Sequence, residues 1–574
     1  MGYERRLQPL QTSSRLAVTL RNLIKLLDGM DPRPNLLVPV DSPGIHRRLV
    51  CCAGHTSHGG GFPGSTKRGH AMTRHGHYTL GGENPPRSTY YDQGKFGRMF
   101  PTLPPFAPDT QPVKDALREL GKKGGIMDAA DEMDIAANPN LARDLITNPA
   151  LNVNNPNNPD LTAGMTFLGQ FLDHDMTFDP TSSLERQADP EAIRNFRNPL
   201  FELDSMYGSG RGASPHLYDQ SPNGQGIKLL VEEIPGAASH SAGGFARFDV
   251  PRNSQNTALL GDPRNDENLI VSQLHMSMLE FHNAVVDHVK NDLGLTNPGE
   301  VFAEAQRLVR WHYQWIIVHE FLEKTVGKPT VDDILKKGRK FYKWRNEPFI
   351  PVEFSVGAYR FGHSQVRPSY RSNFGPTPSD VGSQVFKLIF DDSVPDSPDP
   401  NDLRGGKRAP RRFIDWPTFF EFNDGRSKPN KRIDTTLSSP LFALTLPAIN
   451  QLEAPRSLAQ RNLLRHLTFD LPAGQKVAAA MEVEKLDSAD LADLKPLDFE
   501  KQTPLWFYIL REAQVRQDGK QLGPVGGRIV AEVFIGILQG DSMSYLRQDP
   551  DWTPTLGTGD KFEMTDLLKF AGVA

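Results

Sequence analysis

The chain has 574 residues, a formal net charge of −4, and 38% hydrophobic against 23% charged residues. This composition is typical of a folded globular protein with a large core, and the small net charge gives no global signature for nucleic acid or an anionic membrane surface. The cysteines, Cys51 and Cys52, are adjacent and do not indicate a disulfide framework. We find no apolar run of the roughly 20 residues that a membrane span needs and no secretory signal, so the compartment stays open.

The first part of the chain, before the helical domain, divides into two segments of different composition. Residues 1–71 combine an Arg-, Leu- and Ser-rich stretch with a Gly/His/Arg stretch that has no periodicity. We interpret them as a disordered or non-native extension, with Met72 as an alternative start and an amphipathic transit-type helix as the other reading. Residues 72–130 are rich in proline and are predicted to form an extended arm.

Helical periodicity dominates from residue 131 onward. Apolar residues recur at i, i+3, i+4 and i+7 in the segments 162–176, 266–293, 298–326 and 457–467. Few stretches alternate as strands do. We therefore predict a mainly α-helical domain over residues 131–574, with long loops and little β structure.

The stretch GQFLDHDMTFDP, residues 169–180, places four polar side chains in an otherwise apolar helix. Gln170 and His174 share one face with Asp173 beside them, whereas Asp175 is turned about 100° away from His174. Each such group would cost about 1–3 kcal/mol if it were buried without a partner. The cluster therefore favours a bound polar ligand or ion over a lone histidine with local hydrogen bonds.

Three further segments carry polar pairs at helical spacing. They are Arg360 with His363, Asn462 with Arg465, and Arg264 with Glu267 after the turn Gly261-Asp262-Pro263. A histidine with an orienting partner, arginine cations and acid–base groups would suit an anionic, two-faced cofactor such as haem.

Together these segments resemble the animal-type haem peroxidases of the peroxidase–cyclooxygenase superfamily. The family's motifs GQ-x-x-DHD, GD-x-R-x-x-E, FR-[FY]-GH and LA-x-x-N-x-x-R correspond to Gly169–Asp175, Gly261–Glu267, Tyr359–His363 and Leu458–Arg465. Four motifs in the family's order are a specific match, and they extend over about residues 135–515. The resemblance implies a helix-rich haem peroxidase domain that reduces hydrogen peroxide and oxidises a small donor, namely a phenol, a halide or thiocyanate.

The resemblance also implies a role for each motif residue. His363 would be the axial iron ligand, and Asn462 would accept a hydrogen bond from its Nδ1–H. His174 would be the base that moves the peroxide proton, Arg264 would stabilise the developing charge, and Gln170 would order water or a halide.

The remaining motif residues would hold the cofactor, haem b. Arg360 and Arg465 would pair with its propionates. Asp173 and Glu267 occupy the positions that form ester bonds to haem in some members of the family. Asn268 replaces the family's sulfonium-forming methionine, so that link is not expected.

A Ca²⁺ site is implied as well, in which Asp175 meets a loop ahead of a Tyr-Gly pair. The family's T-x-x-x-D-x-S pattern is replaced here by Asn198, Glu202 and Asp204, with the Leu200 carbonyl between them. All are oxygen donors, which suit a hard cation. The longer glutamate arm departs from the family, and a calcium-free turn is the alternative.

Two other functions stay open. A haem-dependent fatty-acid dioxygenase of the same fold would carry a tyrosine three residues before the axial histidine, where this chain has Arg360 as peroxidases do. Tyr359 is one residue away and is turned about 100° around a helix. A noncatalytic adhesion or binding protein is the second alternative, which the retention of His174, Arg264 and His363 disfavours.

Overall fold

The computed structural model describes residues 96–178, 197–391, 393, 397–445, 455–557 and 559–574. The predicted extension over residues 1–71 lies outside the described residues. The helices, in chain order, are α1 Gln111–Leu120, α2 Leu141–Thr147, α3 Ala163–Met176, α4 Asp204–Tyr207, α5 Leu269–Asn291, α6 Pro298–Ile316, α7 Glu323–Val326, α8 Lys328–Lys337, α9 Leu458–Thr468, α10 Gly474–Ala480, α11 Leu505–Gln517, α12 Pro524–Gly540, α13 Tyr545–Gln548 and α14 Met564–Phe570.

The described strands are short and pair only two at a time. They are β1 Phe96–Gly97, β2 Asn157–Thr162, β3 Glu232–Glu233, β4 Phe248–Asp249, β5 Ile350–Pro351, β6 Ser369–Asn373, β7 Val385–Leu388 and β8 Pro429–Lys431. β1 pairs with β5 in parallel, and the pairs β2–β8, β3–β4 and β6–β7 are antiparallel. The predicted mainly α-helical class with little β structure is confirmed.

The four predicted helical segments form α3, α5, α6 and α9. Three of these helices begin at a side-chain cap, because Asn268, Asn297 and Ser457 accept hydrogen bonds from backbone N–H groups of the first turn. α6 continues through a π-helical stretch, Ile317–Leu322, into α7.

The apolar core lies around three long helices. α5 packs against α6, α3 packs against α5, and α12 packs against α8 and α11. About three quarters of the residues of α5 and α12 are buried. Because α3 and α5 are held in this core, the polar side chains that they carry have defined positions.

Only residues 96–130 of the segment predicted as an extended arm are described, and this part contains one helix. Residues 111–120 form α1, with Pro112 in its first turn, where a missing N–H costs nothing. Leu117 and Leu120 are buried against the rest of the domain. The prediction of an extended arm missed this helix, because a proline in the first turn is compatible with helix formation. In the described part of the chain, no helix is both long and apolar enough to cross a membrane.

Candidate active site

The residues predicted to bind the cofactor and to act on peroxide lie on two groups of elements that touch each other. We call α3, the 3₁₀ turn Pro263–Asp266 and the start of α5 the distal wall. The 3₁₀ stretch Ala358–His363 and α9 form the proximal wall.

Seven predicted side chains of the two walls remain partly accessible, although the elements that carry them are packed in the domain. They are Gln170, Asp173, Arg264, Glu267, Arg360, His363 and Arg465. Interior side chains that are accessible must border a space. These seven side chains therefore line a space that a ligand can reach.

His174, on the distal wall, is 4% exposed, and an asparagine side chain faces its Nδ1 atom. Its Nδ1 lies 2.8 Å from Oδ1 of Asn265. Burial, with the nearby Arg264 cation, lowers the pKa of His174 to about 4. The ring is therefore neutral at ordinary pH, and a neutral imidazole can accept a proton.

Arg264 is held by the turn that carries it and by the end of α3. Its Nε and Nη2 donate to the carboxylate of Asp262 at 3.1 and 2.8 Å. Nη2 also donates to the backbone carbonyls of His174, at 3.1 Å, and of Thr177. Nη1 lies 3.9 Å from the carboxylate of Asp173. Most of the guanidinium therefore fixes the end of the distal helix, and Nη1 is the part left for a ligand.

Glu267 and Gln170 form a second contact across the distal wall. Gln170 Nε2 donates to Glu267 at 2.9 Å, and its Oε1 accepts from Asn268 Nδ2 at 3.3 Å. Burial raises the pKa of Glu267 to about 8, and the carboxylates of Asp262 and Asp173 act in the same direction. Thr177 donates to Asp173 at 3.1 Å. Gln170, Asp173 and Glu267 thus lie close together on the distal wall.

His363, on the proximal wall, meets the predicted Asn462. The two lie 2.7 Å apart, but the Asn462 atom that faces His363 Nδ1 is the amide nitrogen. The amide oxygen accepts instead from Arg360 Nη1 at 3.3 Å. The pairing is the predicted one, with the amide turned the other way, because Arg360 also needs an acceptor. Burial lowers the pKa of His363 to about 3, so this ring is neutral too.

Arg360 belongs to a group of cations that sequence reasoning identified only in part. Arg360 and His363 share a face because a 3₁₀ helix repeats every three residues. Burial lowers the pKa of Arg360, and the nearby cations Arg461 and Arg264 lower it further. Arg461 lies one turn before Arg465 on α9, at i and i+4. Arg461 stands at a position that the motif leaves unspecified. In the sequence, only its i, i+4 spacing from Arg465 indicates that the two side chains could bind the same anion.

Asp175 points away from this space. Its carboxylate accepts from the backbone N–H of Leu203 at 3.1 Å and from the Tyr313 hydroxyl at 3.2 Å. Leu203 has a left-handed backbone with φ +59°. Asp175 therefore connects α3 to the loop that was predicted to bind a cation.

That loop contains an arginine that the sequence did not single out. Arg197 is fully buried and pairs with Asp204 and with Asp262. The second carboxylate oxygen of Asp204 has no hydrogen-bond partner among the described residues. Burial raises the pKa of Asp204 to about 7 and raises that of Asp175 as well.

Glu202 lies close enough to raise the pKa of both aspartates, and its carboxylate accepts from Asn198 Nδ2 at 3.2 Å. The backbone N–H of Leu200 donates to the Asn198 carbonyl at 2.8 Å, which forms a tight turn. Within the described ranges, no group of three or more His, Cys, Asp or Glu side chains is arranged to hold a metal ion. The donor set has the chemistry for a hard cation, with Arg197 supplying part of the positive charge.

Tyr359 is engaged with the backbone. Its hydroxyl donates to the carbonyl of Gly169 at 2.9 Å, and its ring stacks on Phe354 with centroids 4.8 Å apart. Burial raises its pKa well above the ordinary value. Tyr359 therefore ties the proximal wall to α3.

Comparisons with known proteins agree with this architecture. Residues 200–390 match the model of the animal haem peroxidase family. A peroxidase-like protein of Margaritifera margaritifera is 24% identical over 332 residues, which are 54% of this chain and 40% of that protein. Heme peroxidase 2 of Caenorhabditis elegans is 24% identical over 273 residues, which are 38% of each chain. The chain thus spans about two fifths of the length of these curated relatives.

Among solved structures, peroxidase A from Dictyostelium discoideum has a similar fold. The TM-score is 0.52 at 16% sequence identity, over 82% of this chain and 92% of that one. Residues 200–390 therefore match the animal haem peroxidase family in sequence, and the fold of the chain is similar to that of a solved peroxidase.

Proposed function

We propose that the chain is a haem peroxidase that uses hydrogen peroxide to oxidise a small donor, a phenol, a halide or thiocyanate. The observation that carries this proposal is the pair of neutral histidines, one on each wall, each with an asparagine at Nδ1. Among the described residues, Nε2 of His174 and Nε2 of His363 make no hydrogen bond. With Asn265 Oδ1 at its Nδ1, His174 keeps a bare Nε2 for the substrate. His363 would offer a bare Nε2 to iron once the Asn462 amide turns its oxygen toward Nδ1, because an amide nitrogen there leaves the ring proton on Nε2.

The residues between the walls fit haem b. His363 would be the iron ligand, since a neutral imidazole nitrogen is a common ligand of haem iron. Arg360, Arg461 and Arg465 would take the propionates. Bound haem would supply an iron centre that is oxidised by hydrogen peroxide and then reduced by the donor. Asp173 and Glu267 border the same space and are the pair we propose for ester bonds to haem.

His174 would act as the proton carrier of the reaction. A general base must be neutral before it acts, and burial keeps His174 neutral above about pH 4. It would take a proton from one peroxide oxygen and return it to the departing oxygen. Arg264 would stabilise the charge that develops as the O–O bond breaks, and Gln170 would order water or a halide beside it.

We also propose that the loop at Asp204 binds Ca²⁺ together with Asp175, Asn198, Glu202 and the Leu200 carbonyl. Support comes from the bare carboxylate oxygen of Asp204 and from the crowding of buried acids around it. A cation there would relieve their mutual repulsion. It would also fix the end of α3 that carries His174.

His363→Ala is expected to abolish stable haem binding, because it removes the proposed iron ligand. The measurement is a haem titration of the apoprotein, followed by the Soret absorption band. His216→Ala is the control, because His216 is exposed and lies outside both walls. It should leave the titration unchanged. A His363→Ala protein with the wild-type spectrum would rule out His363 as the ligand.

His174→Ala is expected to retain haem and to slow the reaction with hydrogen peroxide by at least ~100-fold. Stopped-flow absorption at the Soret band measures this rate directly. In the wild type the rate should fall as the pH drops through about 4, where His174 becomes protonated. Kinetics in His174→Ala equal to those of the wild type would exclude the base role.

Asp204→Asn is expected to reduce bound calcium, because it removes charge from the proposed site. Elemental analysis of purified protein should give about one calcium per wild-type chain, and chelation should lower the melting temperature of the wild type and of the control but not that of Asp204→Asn. Glu484→Gln, at an exposed position, is the matched control. Wild-type protein without calcium, and with a melting temperature insensitive to added Ca²⁺, would contradict the proposed site.

A further inference from the structure

Asn265 lies between two buried histidines and contacts both with its side-chain amide. Oδ1 lies 2.8 Å from Nδ1 of His174, and Nδ2 lies 3.0 Å from Nδ1 of His275. Asn265 is 0% exposed, His174 is 4% exposed and His275 is 1% exposed. The backbone N–H of Asn265 donates to the Asp262 carbonyl at 3.1 Å, which anchors it in the 3₁₀ turn.

An amide in this position couples the tautomers of its two neighbours. Its oxygen only accepts and its nitrogen only donates. If Oδ1 faces His174, then His174 must carry its proton on Nδ1, and His275 must accept at Nδ1 and carry its proton on Nε2. If the amide were turned over, both histidines would have the opposite tautomer, so the two rings cannot change independently.

Only one of these two arrangements tolerates a protonated His174. An imidazolium donates from both nitrogens. With Oδ1 facing Nδ1, His174 can gain and lose a proton at Nε2 while the Nδ1–H···O bond stays in place. With the amide turned over, the Nδ2–H group would oppose an Nδ1–H group. The first arrangement is the one that the structure has.

We propose that Asn265 is a positioning residue that holds His174 in the Nδ1–H tautomer, and that His275 holds the Asn265 amide in the required orientation. The inference rests on the proposed role of His174 as a base, since that role needs a bare Nε2. Neither Asn265 nor His275 touches the substrate in this account. Both act through His174.

The first test reads the tautomers directly and needs neither haem nor activity. The full-length, haem-free protein is labelled with ¹⁵N-histidine, and long-range ¹H–¹⁵N NMR spectra are recorded at neutral pH. The signals are assigned by their loss in His174→Ala and in His275→Ala. We expect Nδ1–H for His174 and Nε2–H for His275. Nε2–H on His174 in the wild type would overturn the proposal.

Two substitutions of Asn265 separate positioning from packing. Asn265→Leu has a similar shape and cannot accept a hydrogen bond, so His174 is expected to move to the Nε2–H tautomer. Asn265→Asp keeps an acceptor, so His174 should remain Nδ1–H while His275 switches to Nδ1–H. An unchanged His174 tautomer in Asn265→Leu would refute the assigned role.

Asn283→Leu is the matched control. Asn283 is a buried asparagine that also makes two hydrogen bonds, both to the backbone of Leu229. Its loss should cost similar stability without changing either tautomer. A change of the His174 tautomer in this control would mean that any packing loss alters the site, and would contradict a specific role for Asn265.

The second test measures peroxide kinetics in the haem-loaded variants. Asn265→Leu should react with hydrogen peroxide about 10-fold or more slowly at unchanged haem binding, and Asn265→Asp should recover most of the rate. A wild-type protein that holds the predicted tautomers yet is inert to peroxide would refute the proposed function alone. A fast Asn265→Leu enzyme with a switched His174 tautomer would refute the positioning role alone.

Discussion

The carboxylate of Asp262 is the point on which the distal wall depends. It caps the turn Pro263–Asp266 by accepting from the Arg264 N–H at 2.9 Å, and it binds the guanidinium groups of both Arg264 and Arg197. Burial alone would raise its pKa, but the two cations lower it below the ordinary value. The charge is therefore permanent. Through Arg264 it holds the carbonyls at the end of α3, and through Arg197 it holds the loop around Asp204.

The close approach of these segments also explains a glycine of the motif. A side chain at Gly261 would place Cβ 2.7 Å from the carbonyl oxygen of Asp204, and the Gly261 N–H donates to the Ser205 carbonyl at 2.9 Å. The loop around Asp204, the turn Pro263–Asp266 and α3 are thus held together by direct contacts. A ligand bound at the loop would stabilise the position of His174, although the two sites do not share a side chain. The proximal wall has its own anchor, because the Trp506 indole donates to the Arg360 carbonyl at 3.0 Å.

Sequence periodicity predicted the parts of this arrangement that depend on a single helix. It predicted the helices α3, α5, α6 and α9, the shared face of Gln170 and His174, and the direction of Asp175 about 100° away from His174. It did not predict the contacts of Asn265 with His174 and with His275, or that of Arg197 with Asp262. These contacts join residues about 90, 10 and 65 positions apart on different elements. A helical pattern shows which face is polar, but it does not show what lies opposite. The 3₁₀ form of Ala358–His363 was not anticipated either, although both helix types place Arg360 and His363 on one face.

The proposed function depends on a neutral base, His174, acting on peroxide at an iron held by His363. The most direct test is the absorption spectrum of the haem-loaded protein before and after one equivalent of hydrogen peroxide, and again after a phenol or halide is added. The account predicts a Soret band that shifts with peroxide and returns with the donor. A Soret band that peroxide leaves unchanged, or the absence of any Soret band after haem is added, would contradict it.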